Sequence, residues 1–292
     1  MTNMRLKIYK ELGDFIENSL GAKNMRLKSL IGWYCFENPL GGMYGEVTDG
    51  NALASWASIS YKKLAPSPDT LVAEIGNNET VLEYQKKGLF SSLVNALGAQ
   101  VDSKTCFIYV TVNGNSAPGY EKLKYSTSST GSLLYFMGED NIHLPSQAMA
   151  LKISQDEFFF YTKNMTRLLN FDKAYFEWRY SRPHVKFNFY QIIISGNICF
   201  CSTRSGLPGP ERVDVLCELV SKLPIMPKEV LLIGSMVKKE INSNRKLLLH
   251  STLPLDGLEV FRSLPFVYKL IMQDGCPPPN FENYQLTDSD YA

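Results

Sequence analysis

The sequence predicts a mixed α/β protein that contains two tandem domains of like fold. Its 292 residues are long for one ordinary domain and suit two. In each half, short apolar segments typical of strands alternate with segments of helical periodicity. Aromatic residues at Trp33 and Trp178, 145 positions apart, are each followed by a proline several residues on. We therefore expect two domains, at 1–145 and 146–292.

A second pair of similar segments also indicates that the sequence contains an internal duplication. The segment YEKLKY, which begins at Tyr120, resembles FRSLPF, which begins 141 positions later at Phe261. Offsets near half the chain are too long for stacked repeats, so tandem domains explain them better. Chance recurrence of aromatic residues and prolines is the alternative. The seam between the domains is expected near His143 to Gln147.

Composition excludes several classes of protein. With 45% hydrophobic and 20% charged residues, the chain can bury two cores and is not disordered. The 30 Lys and Arg residues balance 29 Asp and Glu residues, so no basic excess favours nucleic acid or an anionic membrane. The first residues lack the apolar region of a signal peptide, and no apolar run approaches a membrane span. A cytoplasmic protein is expected.

The cysteines and histidines show no spacing typical of a metal site, and no metal is expected. We interpret the cysteines as buried free thiols in a reducing compartment, in preference to disulfides or metal ligands. We interpret the histidines as structural. These residues are Cys35, Cys106, Cys199, Cys201, Cys217 and Cys276, and His143, His184 and His250.

Hydrophobic periodicity and turn signals predict the individual elements. In the first half they predict a helix through Ile8, Leu12, Phe15, Ile16 and Leu20, strands at 52–60 and 71–75, a helix at 90–101, a strand at 107–112 and a short helix at 117–124. In the second half they predict strands at 187–194 and 198–203 joined by the turn Ser195-Gly196-Asn197, a helix at 213–223 and a strand at 230–233.

One loop carries the chemistry that the sequence reveals most clearly. Lys86, Lys87 and Gly88 lie in a turn that leads into a helix starting near Phe90. Glycine permits close approach to the backbone, and the N–H groups at a helix N-terminus bind anions. The two lysines add positive charge on the same turn. The loop therefore predicts a site for a phosphate or pyrophosphate.

This loop resembles the Q/R-x-x-G-x-G/A signature of the GNAT acyltransferases, and YEKLKY resembles their Y-x-x-x-G-F segment. The resemblance implies that acyl-CoA is the co-substrate and that Val81 and Leu82 offer backbone groups to its pantetheine arm. Phe90 departs from the Gly or Ala of the signature. The residues that the resemblance assigns to the pyrophosphate are Gln85, Lys86, Lys87, Gly88, Leu89, Phe90 and Ser91.

The resemblance also implies a catalytic acid. Tyr120 matches the tyrosine that protonates the departing CoA thiolate in many GNAT enzymes, and packing of the short helix is the alternative role. Lys124 and Tyr125 replace the usual Gly and Phe of that segment. Asn115 can cap the helix or bond the cofactor.

A general base is harder to identify from the sequence. Glu74 and Glu79 lie upstream of the loop, where members of the family sometimes carry a carboxylate that removes the amine proton through water. The alternative is that both are exposed strand carboxylates. An amine that enters already neutral needs no base.

The second half has no match to the signature, and its nearest text is TRSGLPG at Thr203 to Gly209. The resemblance therefore implies a degenerate second domain that helps to form the acceptor pocket. Trp178, Arg179 and Tyr180 are the candidates for binding the acceptor. The alternative for Trp178 is a packing anchor shared with Trp33.

The resemblance to two-domain bacterial members implies transfer of an acyl group to the amine of a nucleotide-linked amino sugar, such as a dTDP-amino-dideoxyhexose made for surface polysaccharide or O-antigen. Two alternatives stay open. One is an acyltransferase for an aminoglycoside, an amino acid or a protein terminus, and the other is a non-catalytic acyl-CoA-binding protein. A monomer is expected, since an internal duplication can replace a dimer of GNAT domains.

Overall fold

The computed structural model describes residues 4–65, 69–112, 115–127, 131–136, 145–165, 169, 172–205, 213–241, 246–251, 259–264 and 266–270. Asn113, Gly114, His143, Cys276 and 206–212 lie outside these residues. The strands are β1 Met4–Tyr9, β2 Gly42–Asp49, β3 Ala52–Lys63, β4 Leu71–Thr80, β5 Thr105–Thr111, β6 Ser126–Thr127, β7 Gly131–Phe136, β8 Met149–Ile153, β9 Phe187–Ile194, β10 Asn197–Ser205, β11 Val213–Ser221, β12 Lys246–Ser251, β13 Glu259–Leu264 and β14 Phe266–Leu270.

The helices alternate with these strands along the chain. A π-helical turn, Gly32–Phe36, continues the second of them, and a short 3-10 turn, Leu82–Tyr84, follows β4. The α-helices are α1 Leu12–Asn18, α2 Met25–Ile31, α3 Leu89–Gly98, α4 Ala117–Lys122, α5 Gln155–Thr162, α6 Lys173–Tyr180 and α7 Pro227–Ile241.

The chain forms two compact units, and each is assembled from three segments. Unit 1 consists of Met1–Ser128, Leu169–Pro183 and Phe266–Pro279, and unit 2 consists of Ser129–Leu168, His184–Pro265 and Asn280–Ala292. The units therefore interleave in sequence, whereas the predicted division at 145 separates two consecutive halves. The division into domains at 1–145 and 146–292 stays a prediction.

Unit 1 contains a seven-stranded sheet in the order β1-β2-β3-β4-β5-β14-β6. Neighbouring strands are antiparallel except β4 and β5, which are parallel. Helix α3 covers one face, because Leu93, Val94 and Leu97 form one apolar stripe that joins the buried core of the sheet. Gly45 lets the helix approach, since a Cβ there would lie 2.7 Å from Leu93 Cδ1.

Unit 2 repeats this arrangement. Its sheet has the order β13-β7-β12-β11-β10-β9-β8, and β11 and β12 form the parallel pair that corresponds to β4 and β5. Helix α7 packs on it through Ile233, Met236 and Val237. The predicted mixed α/β class and the two like domains are therefore confirmed.

Each sheet contains one strand from the other half of the sequence. In unit 1, β14 lies between β5 and β6, and in unit 2, β7 lies between β12 and β13. The two exchanges are reciprocal, because the last strand of each half takes the same position in the opposite sheet. No local sequence pattern predicts this exchange.

Several predicted elements are wrong. Ile8 belongs to β1 and not to a helix, because Met4, Leu6 and Ile8 alternate with two basic residues at the period of a strand. The second pair of similar segments is not a structural equivalence, since Tyr120 lies in α4 and Phe261 in β13.

The predicted helix at 213–223 is strand β11, and the predicted strand at 230–233 lies inside α7. Strand β11 lies between β10 and β12, so most of its described residues are buried and the alternating pattern of a strand is lost. A run of four apolar residues does not distinguish a strand from a buried helix, whereas Pro227 at the first helical position marks a helix start.

The cysteines divide into two groups. Cys35, Cys199, Cys201 and Cys217 are buried and free, as expected. Cys106, buried in β5, is disulfide-bonded, so the expectation of a free thiol is wrong there.

Among the described residues, no helix is long and apolar enough to cross a membrane.

Candidate active site

Strands β4 and β5 separate part of the way along their length. Their parallel pairing runs from Leu71 opposite Thr105 to Glu74 opposite Tyr109 and then ends. Strand β4 continues to Thr80, and among the residues that the structure describes it pairs there with β3 alone. Beyond Glu74, the β4 edge that faces β5 is therefore open, and such an edge can pair with an extended ligand.

A β-bulge lies in the open part of β4. Ser58 pairs with Gly76 and Trp56 with Glu79, so two residues, Asn77 and Asn78, stand opposite one residue of β3. Asn77 has a positive φ of 48°. Bulges next to functional sites re-aim side chains, and this one presents two consecutive amides at the opening.

The amide groups of the bulge are held in place by hydrogen bonds. Asn77 Nδ2 donates to Ser58 Oγ at 3.3 Å, and Asn78 Nδ2 donates to the Tyr120 hydroxyl at 3.2 Å. These two residues are not among the site residues predicted from the sequence. The signal was present, because Gly-Asn-Asn inside a strand pattern favours a bulge.

The loop after β4 folds back on the strand before it enters α3. Gln85 Nε2 donates to the Thr80 carbonyl at 3.1 Å, which ties the loop to the end of β4. Val81 N–H donates to the Ala54 carbonyl at 3.0 Å, so it is not available to a pantetheine amide. Lys86 and Gly88 have left-handed φ values of 62° and 78°. Glycine is the residue that adopts this conformation at least cost.

The loop exposes a run of unused backbone donors. The first helical hydrogen bond of α3 runs from Ser92 N–H to the Gly88 carbonyl. The N–H groups of Lys86, Lys87, Gly88, Leu89, Phe90 and Ser91 have no acceptor among the residues that the structure describes. Successive N–H groups at a helix N-terminus attract an anion. We call residues 86–91 the N–H loop.

Phe90 fits where the signature has a small residue because its ring packs away from the backbone onto α4. A Cβ on Gly119 would lie 2.8 Å from the Phe90 ring, so the glycine makes room for it. The ring meets that of Tyr120 edge-on, with centroids 5.0 Å apart. The departure from the signature is thus matched by a glycine in α4.

Tyr120 is fully buried, and its ring contacts Phe90 and Tyr125. Its hydroxyl accepts a hydrogen bond from Asn78, and within the described residues no acceptor takes its proton. Burial, with a smaller contribution from Tyr125, raises the pKa of Tyr120 well above its ordinary value. The phenol therefore stays protonated at neutral pH and can donate a hydrogen bond.

The two candidate carboxylates have different surroundings. Glu74 is buried, so the alternative of an exposed strand carboxylate is wrong for it. Its Oε2 accepts from Lys62 Nζ at 2.5 Å and from the Tyr34 hydroxyl at 3.1 Å, and Lys62 also donates to Tyr109 at 3.0 Å. Glu79 is exposed in the open part of β4.

A cavity of about 400 Å³ lies beside the bulge. Its polar lining consists of Asn24, Arg26, Asn77, Asn78 and Glu79.

The apolar lining of the same cavity consists of Leu27, Leu30, Leu53 and Trp56. These side chains come from α2 and β3, and all four are half-buried. The cavity thus meets β4 at the point where the strand leaves β5.

The predicted acceptor residues lie in α6, which belongs to unit 1. Trp178 and Trp33 stack with centroids 4.9 Å apart, and the indole N–H of each donates to the backbone carbonyl of the other, at 2.8 and 3.0 Å. Arg179 and Tyr180 are buried. These contacts fit the packing alternative for Trp178, and a role of the three residues in binding an acceptor stays a prediction.

Asn115 is exposed and precedes Ser116, which occupies the N-cap position of α4. Both roles considered for Asn115, the cap and the cofactor contact, stay predictions. In the described part of the chain, no group of three His, Cys, Asp or Glu residues could hold a metal ion.

No protein-family model and no curated protein matches this sequence. Solved structures do match it. A GCN5-related N-acetyltransferase from Anabaena variabilis has a TM-score of 0.60 at 10% identity, over 91% of this chain and 73% of its own. A tandem GNAT protein from the clavulanic acid biosynthesis pathway has a TM-score of 0.62 at 9% identity, over 95% and 100%. The chain has a tandem GNAT fold. The N-myristoyltransferase of Saccharomyces cerevisiae, solved with myristoyl-CoA, has a TM-score of 0.55 at 11% identity, over 98% and 84%.

In the described residues of unit 2, no segment is equivalent to the N–H loop. The corresponding segment is 222–226, between β11 and α7, whereas the sequence predicted Thr203 to Gly209 as the nearest match. It contains no glycine. Glu229, in the first turn of α7, accepts a hydrogen bond from Met226 N–H at 2.8 Å. A carboxylate thus takes the position at which a phosphate would meet the helix.

Proposed function

We propose that this protein is an acyl-CoA-dependent N-acyltransferase whose reaction takes place in unit 1. The observation that carries the proposal is the N–H loop, whose free donors lie directly after the open part of β4. A pyrophosphate at the loop and an extended pantetheine arm along β4 would use both features at once. The solved N-myristoyltransferase of the same fold holds an acyl-CoA.

The loop residues then have distinct roles. The backbone of residues 86–91 binds the pyrophosphate, and the exposed side chains of Lys86 and Lys87 add charge. Gln85 acts indirectly, through its hydrogen bond to Thr80. Leu82 offers its N–H group to the pantetheine arm. Val81 is less suited to this role, because its N–H donates to Ala54 and its carbonyl accepts from Tyr84 N–H at 2.9 Å.

The chemical step joins an amine to the acyl group. The amine nitrogen attacks the thioester carbonyl, a C–N bond forms, the C–S bond breaks, and CoA leaves as a thiol. Tyr120 donates its hydrogen bond to the sulfur as negative charge develops there. A general acid of this type increases the reaction rate by about 100-fold or more. The ammonium form of the acceptor must lose a proton first. Glu79, exposed beside the cavity, is placed to take it through water.

Glu74 is a poor candidate for the base. Its carboxylate is committed to Lys62 and Tyr34 in a buried cluster where β4 and β5 separate. We propose instead that this cluster holds the two strands in position at the fork.

For the acceptor we propose a primary amine of a small molecule. The nucleotide-linked amino sugar and the role in O-antigen synthesis stay predictions of the resemblance, and none of the matched structures reported above supports them. The cytoplasmic location also stays a prediction.

The experiment is calorimetric titration with acetyl-CoA and myristoyl-CoA, together with an assay of thiol release on a panel of amines. We expect Gly88→Asp to weaken binding by at least 100-fold, since it adds negative charge among the free N–H groups. Gly50→Asp is the matched control, because Gly50 also has a positive φ, 59°, and open space around it. Equal affinity of the two variants would contradict the assignment of the loop. Tight binding without thiol release on any amine would favour the non-catalytic alternative.

A further inference from the structure

The cavity beside the bulge carries one charge of each sign. Arg26 is exposed at one part of its lining, and Glu79 at another. Within the described residues, neither side chain makes an ion pair or a side-chain hydrogen bond. A ligand with one positive and one negative group would satisfy both.

The amides of the cavity add to this polarity. Asn24 Oδ1 accepts from Leu27 N–H, which leaves its NH₂ group as a donor next to Arg26. At Asn77 and Asn78, one N–H of each NH₂ group already donates, to Ser58 or to Tyr120, and both carbonyl oxygens are available as acceptors. Donors therefore accompany Arg26, and acceptors accompany Glu79.

The remaining lining is apolar. Leu27, Leu30, Leu53 and Trp56 supply aliphatic and aromatic surface that is only half-buried. Covering such surface with the apolar part of a ligand removes it from water and so favours binding. A cavity of about 400 Å³ is large enough for a small ligand.

From this arrangement we propose that the acceptor is a free α-amino acid with an apolar side chain. Arg26 and Asn24 bind its carboxylate, Glu79 and the Asn77 and Asn78 carbonyls bind its amine, and the apolar lining holds its side chain. This inference rests on the proposed N-acyltransferase function. The product is an N-acyl amino acid, formed with release of the CoA thiol and one proton.

The polarity of the cavity also orients the reacting group. Asn78 links the amine-binding part to Tyr120, the residue assigned to protonate the departing sulfur. The amine, and not the carboxylate, therefore lies on the side of the cavity nearest to the catalytic acid.

Charge matching argues against a nucleotide-linked acceptor in this cavity. The diphosphate of a nucleoside diphosphate sugar carries roughly two negative charges, whereas the cavity lining supplies one cation and one carboxylate. An amino acid has one charge of each sign and matches the lining.

The test compares acceptors that differ in one charged group. Thiol release from acetyl-CoA is measured with L-leucine and L-phenylalanine, with their amides, with the amines that lack the carboxylate, and with a dTDP-linked amino sugar. Because a hydrogen-bonded ion pair with arginine is lost, we expect kcat/KM to fall about 10- to 100-fold from each acid to its amide. The dTDP-linked amino sugar should be the poorer acceptor.

Variants identify the residue responsible. Arg26→Ala should reduce the preference for acid over amide to less than 3-fold, with acyl-CoA affinity unchanged. Arg5→Ala is the control, since Arg5 is exposed in β1 and does not line the cavity. Melting temperatures show whether each variant is folded.

The outcomes separate the two proposals. Equal rates for acids and amides, preference for the amino sugar, or an unchanged preference in Arg26→Ala would overturn the amino acid assignment and leave acyl transfer in place. Absence of thiol release with every amine would overturn both.

Discussion

Replacing Tyr120 by phenylalanine removes one hydroxyl and keeps the ring. The edge-on contacts with Phe90 and Tyr125 remain, so the packing of α4 should survive. The loss of the acceptor for Asn78 Nδ2 should cost about 1 kcal/mol of unfolding free energy. In a chain of this size that lowers the melting temperature by about 2–4 °C.

The kinetic effect of the same change should be much larger. If the phenol protonates the departing thiolate, kcat should fall about 100-fold or more, whereas the affinity for acyl-CoA stays within a factor of two. The assay is steady-state thiol release, with acyl-CoA binding measured by calorimetry on the same preparation.

Tyr125→Phe is the matched control for this experiment. Tyr125 lies beside Tyr120, with ring centroids 5.1 Å apart, and it is also buried. Loss of its hydroxyl should leave kcat unchanged. An equal loss of kcat in both variants, or no loss in Tyr120→Phe, would refute the assignment of Tyr120 as the acid.

Two further predictions concern stability. Glu74→Gln removes the carboxylate of the buried pair with Lys62 and should lower the unfolding free energy, measured in urea, by about 3–5 kcal/mol. Asp14→Asn, in the exposed pair with Lys7, should have no measurable effect. A small effect of Glu74→Gln would show that the cluster does not hold β4 and β5 in position. Burial raises the pKa of Tyr44 above its value of about 10 in an unfolded chain, so the folded state binds more protons than the unfolded state at alkaline pH. The contribution of Tyr44 to the unfolding free energy is therefore fully present below about pH 10 and should be lost as the pH rises above it. Tyr44→Phe should reduce that slope, and an unchanged slope would contradict the reasoning.

The sequence predicted best where chemistry is local. Gly88 and two lysines just before an apolar helical pattern predict a helix start near Phe90, and α3 begins at Leu89. The anion site at this loop stays a prediction. The strands predicted at 52–60 and 71–75 also depend on local patterns. They correspond to β3 and β4, which extend further, to Lys63 and Thr80.

Prediction failed where the environment decides. The surroundings of Glu74 depend on Lys62 and Tyr109 in neighbouring strands, so its burial is not readable from its own segment. The pairing of Trp33 with Trp178 is similar: the motifs were visible as echoes, but their mutual hydrogen bonds depend on tertiary structure. Arg26 was missed because a single exposed arginine in a helix carries no signal until the cavity around it is known.

The reciprocal exchange of β7 and β14 also affects how the chain can fold. Strand β14 pairs with β5 across a separation of about 160 residues, so the first sheet cannot close while only the first half has left the ribosome. Closing so long a loop is slow, and the edge of β5 stays uncovered in the meantime. A half cut out after residue 145 would lack β14 and would retain β7 without its partners, β12 and β13. Each sheet is therefore complete only when both halves of the sequence have been synthesised.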